Sequence, residues 1–241
     1  MFFDIHTHIL PGVDDGAKDI KESVKILANL KKQGITHVMA TPHFYPQEDD
    51  FDSFLIRATK AYRTLTTAIE GKNLPKVYLG CEMLYCKWAT NSELIHHFCL
   101  SNSDHILLEL TDFDINKKFF VDMIHLQIAG YKPIIAHIER YYRAPNFRKL
   151  LRFVKDLEIV VQINADSVLE PAYKKVMKKL LSGKYDVILG SDTHNCNERA
   201  PKITDALNYI EENFGSDTKR RIENKTLSIF NKIVNEGNID A

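Results

Sequence analysis

Residues 2–17 read FFDIHTHILPGVDDGA, and this stretch decides the fold. A β-prone run ends in His-x-His and passes into a loop of turn formers, Pro11-Gly12 and Asp14-Asp15-Gly16. Side chains alternate along an extended segment, so His6 and His8 share a face while Thr7 points away. Two imidazoles so placed can grip one ion, and the loop can fold Asp14 or Asp15 back over it.

A lone pair of this kind carries little weight, but the rest of the chain repeats the event. His43 closes THVMATPH, Glu82 closes KVYLGCE and Glu109 closes DHILLE. His137 closes KPIIAH, while Asp192 and His194 close DVILGSDTH with the same spacing of two. Thr41-Pro42 stiffens the exit toward His43, because proline locks its own φ. A carboxylate at the end of an apolar run is costly without a cation beside it. Two such acids together, Glu82 and Glu109, with five histidines point to metal. The other histidines, His37, His96, His97, His105 and His125, fall inside strands or helices and read as ordinary.

Short β-rich runs lie near 2–6, 36–41, 76–81, 104–109, 133–137, 158–163 and 186–191. Helical periodicity occupies most of the intervals. Ile20, Val24, Leu27 and Leu30 make one apolar stripe before Gly34. Helices are also predicted over Asp52–Glu70, Asn116–Ala129, Asn146–Leu157 and Ala172–Leu181, and the tail from Ala200 reads as two or three more. Strands alternating with helices predict parallel pairing. An open doubly wound sheet gathers its site at one crevice. Here chemistry follows nearly every strand, and a closed barrel brings all strand ends to one rim. The expected architecture is therefore α/β, a distorted seven-stranded (β/α)7 TIM-like barrel, in one domain over residues 1–241.

The chain has 241 residues, 44% of them hydrophobic, enough for one large core. Lys plus Arg and Asp plus Glu number 32 each, so no global field favours nucleic acid or an anionic membrane surface. The N-terminus has no basic, apolar leader and no run reaches membrane-spanning length, which predicts a cytoplasmic protein. Cys81, Cys86, Cys99 and Cys196 form no C-x-x-C pair and read as free thiols.

The candidate metal set is His6, His8, Asp14, His43, Glu82, Glu109, His137, Asp192 and His194. Imidazole and carboxylate without thiolate suit Mn²⁺, Fe²⁺ or Zn²⁺ and disfavour copper(I) or iron–sulfur chemistry. Nine ligands exceed the needs of one ion and suit three. Three divalent ions against Asp14, Glu82, Glu109 and Asp192 leave a charge of about plus two, a seat for a dianion such as a phosphate monoester.

DIHTHILPGVDDGA, ATPHF, LGCE, LLEL, AHIERY and GSDTHN together resemble the PHP (polymerase and histidinol phosphatase) superfamily. Within it they are most similar to the bacterial capsule-type tyrosine-protein phosphatases. The resemblance runs from Phe3 to about Pro201 and is most specific over Asp4–Ala17. It implies the PHP fold with a trinuclear site on the C-terminal rim. It also implies that His6, His8, Glu82 and Asp192 hold one ion, and that Glu82 bridges to a second completed by Glu109 and His137. Asp14, His43 and His194 would hold the third. The implied activity is Mn²⁺-dependent hydrolysis of phosphotyrosine on a protein, usually an autophosphorylating tyrosine kinase that controls capsule or exopolysaccharide export. Where relatives often carry proline, this chain has Ile138.

The implied chemistry is metal-assisted hydrolysis, in which ions lower the pKa of water from near 16 toward about 7. Phenolate, with a pKa of about 10, leaves without needing a dedicated general acid. Arg140 and Arg199, three and five residues past His137 and His194, are the expected catalytic grips on phosphate oxygens, with Arg143 a weaker choice. Phe44, Tyr45, Tyr141 and Tyr142 either flank a phosphotyrosine ring or pack the rim.

Thiol-based phosphotyrosine hydrolysis needs Cys-x5-Arg, but the residues six past the cysteines are Lys87, Ser92, His105 and Lys202. A phosphatase for histidinol phosphate or another small monoester is the closest rival. An amidohydrolase would usually place a bridging lysine at a strand end, and none closes a strand here. A metal-stabilised scaffold that binds a kinase without hydrolysis has little use for a full ligand set. Self-association is left open, because core packing explains the apolar face of Ile20–Leu30 equally well.

Overall fold

The computed structural model describes residues 2–86 and 93–236. Strand β1 (Phe2–Thr7) leads to α1 (Ile20–Lys32), β2 (Ile35–Ala40), β3 (His43–Phe44) and α2 (Phe51–Ile69). Then come β4 (Lys76–Leu79), β5 (Glu82–Leu84), β6 (His105–Glu109), α3 (Lys117–Ile128), β7 (Lys132–Ile135) and α4 (Phe147–Asp156). The chain continues through β8 (Val160–Asn164), α5 (Ala165–Leu169), α6 (Lys174–Leu180) and β9 (Val187–Gly190). Two helices, α7 (Ile203–Phe214) and α8 (Ser216–Glu236), follow the last strand.

Local chemistry explains the helix starts. Asp19 caps α1 by accepting from the Glu22 amide at 2.9 Å, and Asp50 caps α2 by accepting from Ser53 at 3.0 Å. Asn116 does the same for α3 toward Lys118, at 2.9 Å. Each helix buries one stripe. In α2 it is Phe54, Ala58, Ala61 and Leu65. In α1 the buried stripe is Ile26, Leu27 and Leu30, with Ile20 and Val24 at its edge.

All ladders are parallel, in two sheets ordered β1-β2-β4 and β3-β5-β6-β7-β8-β9. The expected single closed barrel of seven strands is not what forms. Two of the seven expected strands are split, at Thr41-Pro42 between β2 and β3 and at Gly80-Cys81 between β4 and β5. Pro42 has no N–H to give a ladder. Single bonds still cross the gap, Gly80 N–H to Ala40 O at 2.8 Å and Glu82 N–H to Pro42 O at 3.1 Å. Strand β1 meets the segment that follows β9 through an isolated Thr7–Thr193 bridge, without a ladder. Parallel pairing nevertheless sends the strands' C-terminal ends the same way, and the ligand-type residues sit there.

The strand alternation separates two cores. Ile106, Leu108, Ile135, Val161 and Ile163 pack outward against the helices. Phe3, Ile5, Met39, Leu107, Ile134 and Ile188 form an inner cluster with Ile229, Phe230 and Ile233 of α8. Helix α8 thus packs into a cluster shared by both sheets, with Phe230 4.2 Å from Phe3, ring centre to ring centre. Burial of these large side chains contributes roughly 1.5–3 kcal/mol each. Among the described residues no helix is long and apolar enough to cross a membrane, and no disulfide joins the cysteines.

Candidate metal centre

The strand ends bring the predicted ligands together. His6, His8, Glu82 and Asp192, all buried, present ligand atoms within 4.8 Å of one another. His43, Glu82 and Glu109 form a second such group, and His8, Asp15, His43 and His194 a third. His137 adjoins the second: its Nε2 lies 2.8 Å from Glu82 Oε1 and 3.6 Å from Glu109 Oε1.

Glu82 is the hub. Its Oε2 faces His6 Nε2 at 3.0 Å, His8 Nε2 at 3.3 Å and His43 Nδ1 at 3.0 Å. Neutral imidazole lone pairs repel a carboxylate oxygen at these distances, so a positive charge belongs between them. Protons or a divalent cation can supply it. The buried atoms Glu82 Oε2, Glu109 Oε2, His43 Nδ1 and His194 Nε2 have no hydrogen-bond partner, as expected of atoms meant for an ion. The residues present therefore fit a metal cluster.

The outward nitrogens of the histidines are held. His8 Nδ1 lies 2.7 Å from Asp14 Oδ2, His194 Nδ1 3.0 Å from Asp192 O, and His137 Nδ1 3.2 Å from the Tyr141 hydroxyl. Metal-binding histidines are typically oriented this way. Strand alternation, which sends Ile134 and Ala136 inward, would point His137 away. Its left-handed φ of 30° turns it back, and Asp192 is also left-handed at 51°. For non-glycine residues such backbone is strained, and strain of this kind clusters at functional sites.

Electrostatics follows burial. Burial and the neighbouring Glu82 charge push Glu109 up to about 7. Burial also acts on Glu82, but His6, His137 and His43 outweigh it and hold the carboxyl well below its usual range. Burial disfavours a charged His8, yet Asp14 overcomes this and raises it well above an ordinary imidazole.

Both predicted arginines reach the site. Arg140 Nη2 donates to Asp192 Oδ2 at 2.5 Å, and Arg199 Nη2 donates to Oδ1 and Oδ2 of the same residue at 3.1 and 3.2 Å. Arg199 is folded back at Asn195, whose Oδ1 accepts from the Asn197 amide at 2.9 Å in an Asx turn and from the Arg199 amide at 3.1 Å. The two arginine side chains are about one-third exposed, at 36% and 34%, while Asp192 between them is buried.

The description of the capsular polysaccharide synthesis family CpsB/CapC matches residues 2–229. The chain belongs to the CpsB/CapC family. It is 28% identical to the tyrosine-protein phosphatase CpsB of Streptococcus pneumoniae over 234 residues, covering 91% of this chain and 93% of that protein. It is also 28% identical to the tyrosine-protein phosphatase YwqE of Bacillus subtilis over 239 residues, covering 96% and 92%. A chain from the crystal structures of YwqE and CpsB, metal-dependent tyrosine phosphatases, superposes with a TM-score of 0.81 at 25% identity, covering 95% and 94%. Histidinol phosphate phosphatase from Lactococcus lactis shares the fold, with a TM-score of 0.59 at 13% identity over 88% of this chain and 93% of its own.

In this CpsB/CapC chain the Asp-Asp pair works differently from the expectation for Asp14. Asp14 spends its oxygens on protein donors: His8 Nδ1, the His43 amide at 3.1 Å and the Gly16 amide at 3.0 Å. Asp15 points the other way, with Oδ1 3.2 Å from His194 Nε2 and 3.6 Å from His43 Nε2. Asp15, not Asp14, stands among the ligand atoms. The turn is tight enough that a Cβ on Gly16 would fall 2.1 Å from His8 O.

Of the two readings left open for the aromatics, packing holds for two. Phe44 is buried against Phe54 and Phe98, and the buried Tyr141 hydroxyl accepts from the Leu110 amide at 2.9 Å, so neither ring is offered to a substrate. Tyr45 stacks on His43 with ring centres 4.9 Å apart, and Tyr142 packs edge-on against Tyr173. Sequence reasoning missed Gln162, Asn164 and Glu139, all fully buried beside the ligands. The signal was present in VVQIN, where two amides alternate with apolar residues in an otherwise apolar strand.

Proposed function

We propose that this chain is a metal-dependent protein-tyrosine phosphatase acting on a phosphotyrosine protein, a bacterial tyrosine kinase of capsule or exopolysaccharide synthesis. The observation that carries the reading is the convergence of three His/carboxylate groups and two arginines on one rim, in a chain of the CpsB/CapC family. The reading is supported by whole-length likeness to CpsB and YwqE.

We take residues 1–241 as one domain and the two sheets as parts of an interrupted (β/α)7 ring. The reading has the enzyme cytoplasmic, with three Mn²⁺ ions, or Fe²⁺ or Zn²⁺ in their place. His6, His8, Glu82 and Asp192 would hold one ion, and Glu82, Glu109 and His137 with His43 a second. Asp15, His43 and His194 would hold the third, with His8 alongside.

Bound divalent ions supply a water nucleophile at neutral pH and an electrophilic seat for phosphoryl oxygens. The chain's own groups do the rest. Arg140 and Arg199 release part of their hold on Asp192 and take phosphate oxygens, a bidentate match of guanidinium to oxyanion. Asp14 and the main chain keep His8 aligned through the turnover. Tyrosine leaves as a phenolate, so the rim needs no strong general acid. Tyr45, stacked on His43, is the aromatic we assign to the substrate ring.

The test is a Mn²⁺-supplemented rate comparison between a phosphotyrosine peptide and histidinol phosphate. Preference for the peptide supports the reading. Preference for histidinol phosphate overturns the substrate assignment and leaves the metal centre in place.

A further inference from the structure

A chain of side-chain amides links His6 to Asp192 behind the ligand atoms. Gln162 and Asn164 are alternate residues of β8, and both are fully buried. Their orientations follow from one unambiguous donor. The main-chain N–H of His137 can only donate, and it lies 2.8 Å from Gln162 Oε1. The Gln162 oxygen therefore faces His137, and its amide nitrogen faces the other way, 2.7 Å from Asn164 Oδ1. That contact leaves Asn164 Nδ2 to donate to Asp192 Oδ2, also at 2.7 Å.

The other end of the relay settles an imidazole. His6 Nδ1 lies 3.1 Å from the same Gln162 oxygen. An amide oxygen only accepts, so Nδ1 carries the proton and Nε2 is the nitrogen left to coordinate. Nε2 faces Glu82 Oε2 at 3.0 Å and Asp192 Oδ1 at 3.6 Å. Asp192 Oδ2 accepts from Asn164 and Arg140, Arg199 spans both oxygens at 3.1 and 3.2 Å, and Oδ1 is the oxygen left facing His6 and His8.

The relay is held from behind as well. Glu139 Oε1 accepts from the Asn164 amide at 3.0 Å. Gly190 leaves room for it: a Cβ there would lie 2.9 Å from Gln162 Nε2 and 2.9 Å from His6 Cβ.

We propose that Gln162 and Asn164 are positioning residues of this centre: Gln162 sets the tautomer of His6, and through Asn164 it sets which oxygen Asp192 presents. The inference rests on reading His6 and Asp192 as metal ligands. It does not depend on which phosphate ester is the substrate.

The test uses Gln162→Leu and Gln162→Glu in the full chain. The readouts are the ¹⁵N–¹H correlation of the His6 ring in metal-free protein at alkaline pH and the Mn²⁺ affinity by calorimetry. Gln162→Leu is expected to abolish the Nδ1–H preference of His6 and to weaken Mn²⁺ binding about ten- to a hundredfold. Gln162→Glu keeps an acceptor for His6 but presents oxygen to Asn164. It is expected to retain the tautomer and to recover part of the affinity.

Wild-type affinity with an unchanged His6 tautomer in Gln162→Leu overturns the proposal. So does equal loss of affinity in both variants with His6 still protonated at Nδ1, because that result marks packing alone. If Gln162→Leu does not fold, Gln162→Glu decides: loss of the Nδ1–H tautomer there overturns it. A wild type that binds Mn²⁺ but hydrolyses no phosphotyrosine would sink the substrate reading and leave these two readouts intact.

Discussion

Asp14 Oδ2 lies 2.7 Å from His8 Nδ1, so the first acid of the Asp-Asp pair orients an imidazole while the second reaches toward His43 and His194. The two acids should therefore fail differently. Asp15→Asn is expected to lower the number of ions bound, read by metal analysis of the purified protein. Asp14→Asn is expected to preserve that number and weaken affinity about ten- to a hundredfold, through a misaligned His8. Identical metal content and affinity in the two variants would contradict this division.

Arg140 and Arg199 both grip Asp192 from the open side of the site. Removing either is expected to cost roughly a hundredfold in kcat/KM for a phosphotyrosine peptide, the scale of losing one donor to a developing anion. Melting temperature should change little, because each arginine side chain is about one-third exposed and Asp192 keeps the other arginine and Asn164 as donors. Unchanged kinetics in a folded Arg140→Ala or Arg199→Ala variant would remove that residue from the site.

Glu82 Oε2 is faced by His6, His8 and His43 within 3.3 Å, an arrangement that a cation relieves. Chelation should abolish hydrolysis, and Mn²⁺ should restore it. At a hundredfold excess over its dissociation constant a bound ion adds about 2.7 kcal/mol of stability. For a chain of this size that is a rise of about 5–10 °C in melting temperature. Calorimetry with and without Mn²⁺ reads it directly, and no shift would count against a metal centre here.

His105, at the start of β6, tests burial away from the metal centre. Burial lowers its pKa to about 4, against the opposing pull of Asp104. The native state thus keeps this imidazole neutral. Its contribution is complete above the unfolded value of about 6.5 and is lost as pH falls toward the folded one. Between pH 7 and pH 5 the wild type should lose about 2 kcal/mol more than His105→Gln. Urea unfolding of the metal-free proteins measures it, and parallel pH profiles would refute the assignment.

Much of this was legible in the chain itself. Short apolar, β-rich runs ending in His, Glu or Asp located the strands and their working ends, and helical periodicity located helices such as Ile20–Leu30, Asp52–Glu70 and Asn116–Ala129. What failed were features that depend on partners far away in sequence. The ring looked closed on paper because a one-dimensional pattern cannot show that Pro42 interrupts a ladder or that β1 meets the segment after β9 through an isolated bridge. Phe44 and Tyr141 could be read either way from their place beside ligands, and their neighbours in space, other core groups, decide for packing.

By itself the sequence determined the alternation of strands and helices, the identity of the imidazoles and carboxylates, and their place at strand ends. Those properties are local, set by side-chain period, capping and composition. Only the tertiary structure decided that Asp14 serves His8 while Asp15 faces the ligand atoms, and that Gln162 and Asn164 stand behind His6 and Asp192. The reason is directional: a hydrogen bond depends on where a lone pair points, and a left-handed turn such as that at His137 redirects a side chain without leaving a mark on the hydrophobic pattern.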